Sequence, residues 1–262
     1  MGEVIVVTSG KGGVGKTTIT ASLSISLARM GKKVLAIDTD IGLRNLDVVM
    51  GLENYITYNL VDVIEGNCRL SQAMIRDKIH TNLYLLPSAQ TRDKDAVCPE
   101  QMKQLITQIR DEFDFIFIDC PAGIEQGFRN AIAPATKAIV VTTPEVSAIR
   151  DADRVIGLLE NDGITNINLL VNRIRPNLIR KGDMMSKEDV SEILGIDILG
   201  YLNDDPNVVI ATNRGIPLVE QNGKLRKNII HIANILIGNE QLTKPSVSLT
   251  GGFIRNIFSR GY

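Results

Sequence analysis

Residues 9–19, SGKGGVGKTTI, lie between a short apolar run, VIVVT (4–8), and an apolar stretch with helical spacing. The segment contains Gly10-x-x-x-x-Gly15-Lys16-Thr17, the pattern of a phosphate-binding loop joining a strand to a helix. A polyanion is held by many N–H groups converging on it, so the backbone must turn tightly and approach closely. Gly10, Gly12, Gly13 and Gly15 permit both. A helix starting at Lys16 would direct its free N–H groups and positive dipole end at the same phosphates. In that arrangement Lys16 reaches the β- and γ-phosphates and the Thr17 hydroxyl ligates Mg²⁺. Val14 and Thr18 complete the nucleotide-binding run. A second lysine, Lys11, stands on the outward side of the loop. It is badly placed to fold back onto phosphates enclosed by its own backbone. It is either a surface cation or a group that reaches a nucleotide held by a second copy of the chain.

Working outward, short β-branched runs alternate with longer stretches of helical period. Strands are expected at 4–8, 33–38, 83–87, 115–119, 138–142, 167–172 and 198–202. Helices are expected at 16–30, 99–113, 147–161, 186–194 and 224–237. This is an α/β fold, a single-domain P-loop NTPase with a mostly parallel twisted sheet and helices on both faces. It spans residues 1–237, with a flexible linker at 238–252 and a separate amphipathic segment at 253–262.

The chain has 262 residues, with 29 Lys+Arg against 30 Asp+Glu and a formal charge of −1. A global basic excess, as expected of a dedicated nucleic-acid binder, is absent. The three cysteines, Cys68, Cys98 and Cys120, form no C-x-x-C pair, which argues against a zinc site or a cysteine-held cluster within one chain. The start of the sequence lacks the pattern of a secretory signal, and no apolar run approaches the ~20 residues of a spanning helix. A cytoplasmic chain is expected, qualified by its last ten residues.

Two further segments place carboxylates where open α/β sheets bind ligands, at the carboxyl ends of the strands. AIDTDIGLRNLD (36–47) carries Asp38 and Asp40, and FIDCPAG (117–123) carries Asp119 and Gly123. Three carboxylates beside a phosphate loop suit Mg²⁺, its waters and one group to orient an attacking water. Within LLVNRIRP (169–176), at the end of the expected strand 167–172, the amide of Asn172 can both donate to and accept from a base.

In the final segment, GGFIRNIFSRGY, a helical period puts Phe253, Ile254, Ile257 and Phe258 on one face. Arg255 points away and Arg260 sits at the edge of the apolar face. This composition after a polar linker suggests a membrane-interface helix. Burying each large apolar side chain gains ~1.5–3 kcal/mol, while ordering the helix costs ~1–2 kcal/mol per residue, so one tail binds marginally. Two tails joined in a dimer gain ~10²–10⁴ in avidity.

KGGVGKTT resembles the deviant loop of the ParA/MinD group of ATPases, and DIGLRNLD is similar to the form found in its septum-site-determining branch. The resemblance implies that Lys11 crosses a dimer interface to the partner's nucleotide and serves catalysis with Lys16 and Asp40. It implies that Asp40 orients the hydrolytic water, Asp119 belongs to the Mg²⁺ shell and Asp38 supports the metal site. Gly123 becomes a hinge sensing the γ-phosphate, Asn172 an adenine contact, and the loop around Pro206 the closure of the base pocket. Arg44, Asp151 and Asp153 become candidates for a partner surface. The implied function is an ATP-dependent dimer on the inner face of the cell membrane that recruits the division inhibitor MinC. Hydrolysis, stimulated by MinE where present, releases it, and no specific nucleic acid is expected. The alternatives are a ParA-type DNA-segregation ATPase, which would need a basic surface, and a related flagellar-number regulator, expected to carry an N-terminal extension.

Overall fold

The computed structural model describes residues 1–220 and 223–242. The expected membrane contacts Phe253, Ile254, Arg255, Ile257, Phe258 and Arg260 lie outside the described residues, as does most of the expected linker. In chain order the elements are β1 (Glu3–Thr8), α1 (Lys16–Arg29), β2 (Val34–Asp38), α2 (Leu46–Met50), α3 (Leu60–Ile64), α4 (Leu70–Ala73), β3 (Ile75–Arg76) and β4 (Leu83–Leu86). There follow α5 (Pro99–Ile109), β5 (Phe115–Asp119), α6 (Gln126–Ile132), β6 (Lys137–Thr142) and α7 (Val146–Asn161). The last are β7 (Ile167–Ile174), α8 (Pro176–Lys181), α9 (Lys187–Leu194), β8 (Ile198–Asn203), α10 (Asn207–Asn213) and α11 (Lys224–Leu236).

The strands form one sheet in the order β3-β4-β2-β5-β1-β6-β7-β8. Every pairing is parallel except β3 with β4 at one edge. All seven expected strands are present, and the two-residue β3 is added to them.

Alternation along β1 shows how the sheet is covered. Val4 and Val6 face a core built with α5, α6, α7 and α9, which includes Met102, Ile106, Phe128, Val155 and Val190. Ile5 and Val7 face the opposite core, with Ile19 and Leu23 of α1 and Ile229 and Ile232 of α11. Burial on both faces explains why the central strands read as continuous apolar runs.

Helix boundaries follow local chemistry. Pro99 stands at the first position of α5, where the missing N–H is no loss. Ser186 caps α9 by accepting from the Asp189 N–H, while the Asp189 carboxylate takes the Ser186 N–H at 2.8 Å. A glycine in the left-handed region, Gly195, ends that helix. The end of α5 is tighter than the sequence pattern indicates, since Arg110–Glu112 form a 3₁₀ turn. Among the described residues, no helix is long and apolar enough to cross a membrane.

Candidate active site

The loop between β1 and α1 emerges at the carboxyl edge of the two central strands, beside the ends of β2 and β5. Its shape depends on glycine at two places in particular. Gly15 has φ +104°, and a Cβ there would come within 2.6 Å of Asn172 Nδ2. A Cβ on Gly10 would come within 2.3 Å of the Asp151 carbonyl oxygen, so the loop lies directly against α7.

The first backbone hydrogen bond donated into α1 from the loop side is that of Ile19 to the Gly15 carbonyl, at 3.0 Å. Among the described residues the N–H groups of residues 10–18 have no hydrogen-bond acceptor in the chain. A run of unpaired donors at a helix N-terminus fits an anion such as a nucleotide phosphate. Lys16, 8% exposed, extends along the inside of the loop and donates to Ser9 Oγ at 3.0 Å. Ser9 Oγ in turn donates to the Lys11 carbonyl at 2.8 Å. Val14 is buried under the loop, while Thr17 and Thr18 are half-buried at the start of α1.

Lys11 points away from this enclosure. Its Nζ lies 3.3 Å from Glu145 Oε2 and 3.4 Å from Ser147 Oγ, at the start of α7. The side chains of the Lys11–Glu145 pair are 44% and 57% exposed.

Two carboxylates lie at adjacent strand ends, since Asp38 and Asp119 are register partners of β2 and β5. Asp119 is 2% exposed, and it accepts hydrogen bonds from Thr20 Oγ1 at 3.1 Å and from the Thr17 hydroxyl. Burial raises its pKa well above the ordinary carboxylate value, and the Asp38 charge adds to the rise. Asp38, fully buried, is raised mainly by burial, opposed by the N–H groups it accepts from. A pair of buried carboxylates flanked by the Thr17 and Thr20 hydroxyls is a donor set that fits Mg²⁺.

Asp38 also has a structural task. One oxygen accepts from the Asp40 N–H at 2.8 Å, and the other accepts from the N–H groups of Asn45 and Leu46, both at 3.0 Å. It therefore folds the segment 39–46 back on itself and starts α2. Asp40 is half-buried and lines a cavity of about 270 Å³ with Pro121, Gln126 and Phe128. Gly123, at φ +93°, turns the chain between β5 and α6.

A second cavity, of about 290 Å³, lies on the other side of the loop. Gly15, Thr18, Asn172, Arg173, Pro206 and Val209 are among its lining residues. Asn172 braces the phosphate loop, with Nδ2 donating to the Val14 carbonyl at 2.7 Å. Its amide retains a second N–H and an acceptor lone pair for a base. Pro206 is exposed at the rim, where it caps α10.

The three residues expected on a partner surface are differently disposed. Asp153 is exposed on α7. Asp151 is half-exposed, with its backbone against Gly10. The Arg44 side chain is only 17% exposed and is turned toward the buried Asp47, with Nε 2.9 Å from Oδ2.

The structure adds residues absent from the sequence reading. Thr20 bonds Asp119, Glu145 and Ser147 hold Lys11, and Arg173 donates to the Gly13 carbonyl at 2.7 Å from a left-handed backbone with φ +58°. Thr20 was within reach of pattern reading, being one helical turn from Lys16. The others depend on contacts more than a hundred residues apart.

A family model described as an AAA domain matches residues 2–169. The septum site-determining protein MinD of Bacillus subtilis is 58% identical over 220 residues, covering 83% of this chain and 82% of that one. In the solved MinC:MinD cell division protein complex of Aquifex aeolicus, the matching chain is 46% identical with a TM-score of 0.85. The match covers 92% of this chain and 98% of that one. The septum site-determining protein MinD of Pyrococcus horikoshii, solved in complex with Mg-ADP, is 32% identical with a TM-score of 0.82. That match covers 90% of this chain and 96% of that one. With matches of this identity over most of both chains, the chain belongs to the MinD family of septum site-determining proteins.

Proposed function

We propose that this chain is an Mg²⁺-dependent ATPase that dimerises with ATP, binds the membrane through paired C-terminal segments and recruits the division inhibitor MinC. The observation that carries this reading is the pairing of an inward lysine, Lys16, with an outward one, Lys11, on one loop. The first serves the chain's own nucleotide. The second, held by an exposed ion pair with Glu145 and a long hydrogen bond to Ser147, can exchange both for the phosphates of a facing copy.

The residues divide the work as follows. The loop N–H groups of 10–18 and Lys16 hold the phosphates, and Asn172 and the Pro206 rim take the base. Thr17 and Asp119 hold the metal, with Asp38 keeping the neighbouring segment in place. Bound Mg²⁺ neutralises charge on the β- and γ-oxygens. Asp40 orients the attacking water, Lys11 of the facing copy stabilises charge developing on the phosphates, and loss of the γ-phosphate is felt at the Gly123 turn.

The solved complex that pairs MinC with MinD in Aquifex aeolicus supports the choice of partner, and the Mg-ADP complex from Pyrococcus horikoshii supports the choice of ligand. The exposed Asp153 and half-exposed Asp151 on α7 form the candidate partner surface; Arg44, also proposed for it, is turned toward Asp47. Release by hydrolysis, stimulated by MinE, completes the cycle. Mixing the chain with purified MinC and following complex formation by light scattering tests the proposal. A complex formed with ATP and lost with ADP is expected. No complex in either state overturns recruitment, and a complex indifferent to nucleotide overturns its control by ATP.

A further inference from the structure

Away from the nucleotide site, α5, α6 and α7 enclose a groove of about 520 Å³. Its floor is apolar: Phe128, Ile132 and Ile164 are nearly fully buried, and Ile124 and Leu158 are half-buried. Each of the three helices places one exposed cation at the rim, Lys103 from α5, Arg129 from α6 and Arg154 from α7. None of the three side chains has an ion pair or hydrogen bond among the described residues. One acidic residue, Asp162, also lines the groove. Some exposed cations elsewhere are paired, as Arg92 is with Glu65 and Arg175 with Asp204, whereas these three converge unpaired on one groove. Three unpaired cations around an apolar floor suit a ligand that brings both apolar side chains and carboxylates.

The groove is also built from the segment that carries the Gly123 turn. Ile124 follows that turn, and Phe128 lines both this groove and the cavity that holds Asp40. Between them the chain is closely packed: a Cβ on Gly127 would lie 2.7 Å from Pro121 Cγ, so the start of α6 packs directly on the residue two positions after Asp119. A movement of 119–123 is therefore transmitted to Phe128 and Arg129 with little slack.

We infer that the α5–α6–α7 groove is a docking site for an acidic amphipathic helix of a protein partner, and that its affinity depends on the nucleotide held at the phosphate loop. A helix is favoured over a lipid surface because the apolar floor is recessed between three helices, a shape that receives a row of side chains. Carboxylates flanking that row would meet Lys103, Arg129 and Arg154. The inference does not depend on MinC recruitment, and a failure to bind MinC leaves it standing.

The test uses the full chain and a fluorescent synthetic helix of about 18 residues with leucines at i, i+3, i+4 and i+7 and glutamates flanking them. Fluorescence anisotropy is read with a non-hydrolysable ATP analogue and with ADP. Saturable binding is expected, weakened at least about tenfold in the double variant Arg129→Glu/Arg154→Glu and at least about tenfold for a scrambled peptide of the same composition. A peptide with lysine for glutamate should prefer the double variant, a charge swap that general unfolding cannot imitate. Basal ATP turnover and melting temperature should stay unchanged in that variant. Absence of saturable binding, or binding indifferent to the reversals, overturns the site. Arg129-dependent binding of phosphatidylglycerol vesicles that displaces the peptide overturns the choice of a protein partner. Equal affinity in the two nucleotide states overturns the coupling.

Discussion

Replacing Lys11 by alanine separates the two tasks a loop lysine could have. In the folded chain its Nζ meets Glu145 at 3.3 Å, and both side chains are about half exposed. Pairs of that kind contribute ~0–1 kcal/mol. For a domain of this size that corresponds to a melting-temperature change of no more than about 4 °C. In the proposed dimer the same group would meet phosphate oxygens in a water-poor interface, where a hydrogen bond to a charged group contributes ~1.5–3 kcal/mol. Two symmetry-related contacts then amount to ~3–6 kcal/mol, or ~10²–10⁴ in the dimer dissociation constant. Lys11→Ala should therefore melt close to wild type and bind ATP as a monomer. By light scattering with Mg²⁺ and ATP, it should remain monomeric at concentrations where the wild type is dimeric. Glu145→Ala, which frees Lys11 without removing it, should still dimerise. Wild-type dimerisation by Lys11→Ala would refute the reasoning, and so would a fall of ten degrees or more in its melting temperature.

Asp40→Ala should bind ATP and dimerise but turn over at least ~10²-fold more slowly, because a group orienting the attacking water is removed; near-normal turnover measured by phosphate release takes Asp40 out of the reaction. Gly10→Ala should displace the loop, since its Cβ would overlap the Asp151 carbonyl at 2.3 Å. We expect a loss of ~1–3 kcal/mol of stability together with most nucleotide affinity, and unchanged titration with a fluorescent nucleotide would contradict the contact. The raised pKa values of Asp119 and Asp38 make the folded chain bind more protons than the unfolded chain above the ordinary carboxylate range. Their contribution to stability is therefore greatest below about pH 4 and declines as pH rises toward 7. Asp119→Asn removes most of that loss, so its melting temperature without nucleotide should gain on the wild type between pH 5 and pH 7 by differential scanning calorimetry. A constant difference would mean that Asp119 titrates normally.

The sequence made the sheet legible because its parallel strands are buried on both faces and read as apolar runs bounded by glycine and proline. The short elements were illegible for the opposite reason. Helices α2, α4 and α6 have 5, 4 and 7 residues, too few for a helical period to declare itself. The start of α2 is fixed by the Asp38 carboxylate eight residues earlier, a bond that no local pattern encodes.

At the site, the loop was legible because glycine and lysine spacing there is dictated by phosphate geometry. The outward position of Lys11 could be reasoned from its place in the loop, but Glu145, 134 residues away, could not be matched to it without the fold. Asn172 shows the same limit. Its residue type suggested a base contact, whereas its position gives it a second duty, bracing the loop through Val14. Arg44 reads as a surface charge in the sequence and is turned inward by its left-handed backbone and Asp47.

The measurement that bears most directly on the central claim is co-sedimentation with anionic vesicles under ATP and under ADP. It includes duplex DNA as competitor and a chain truncated after Gly252 as control. The account predicts sedimentation with ATP, loss of it with ADP and with the truncated chain, and indifference to DNA. Vesicle binding independent of nucleotide would contradict a switch residing in the dimer, and ATP-dependent binding to DNA without binding to vesicles would contradict the membrane function altogether.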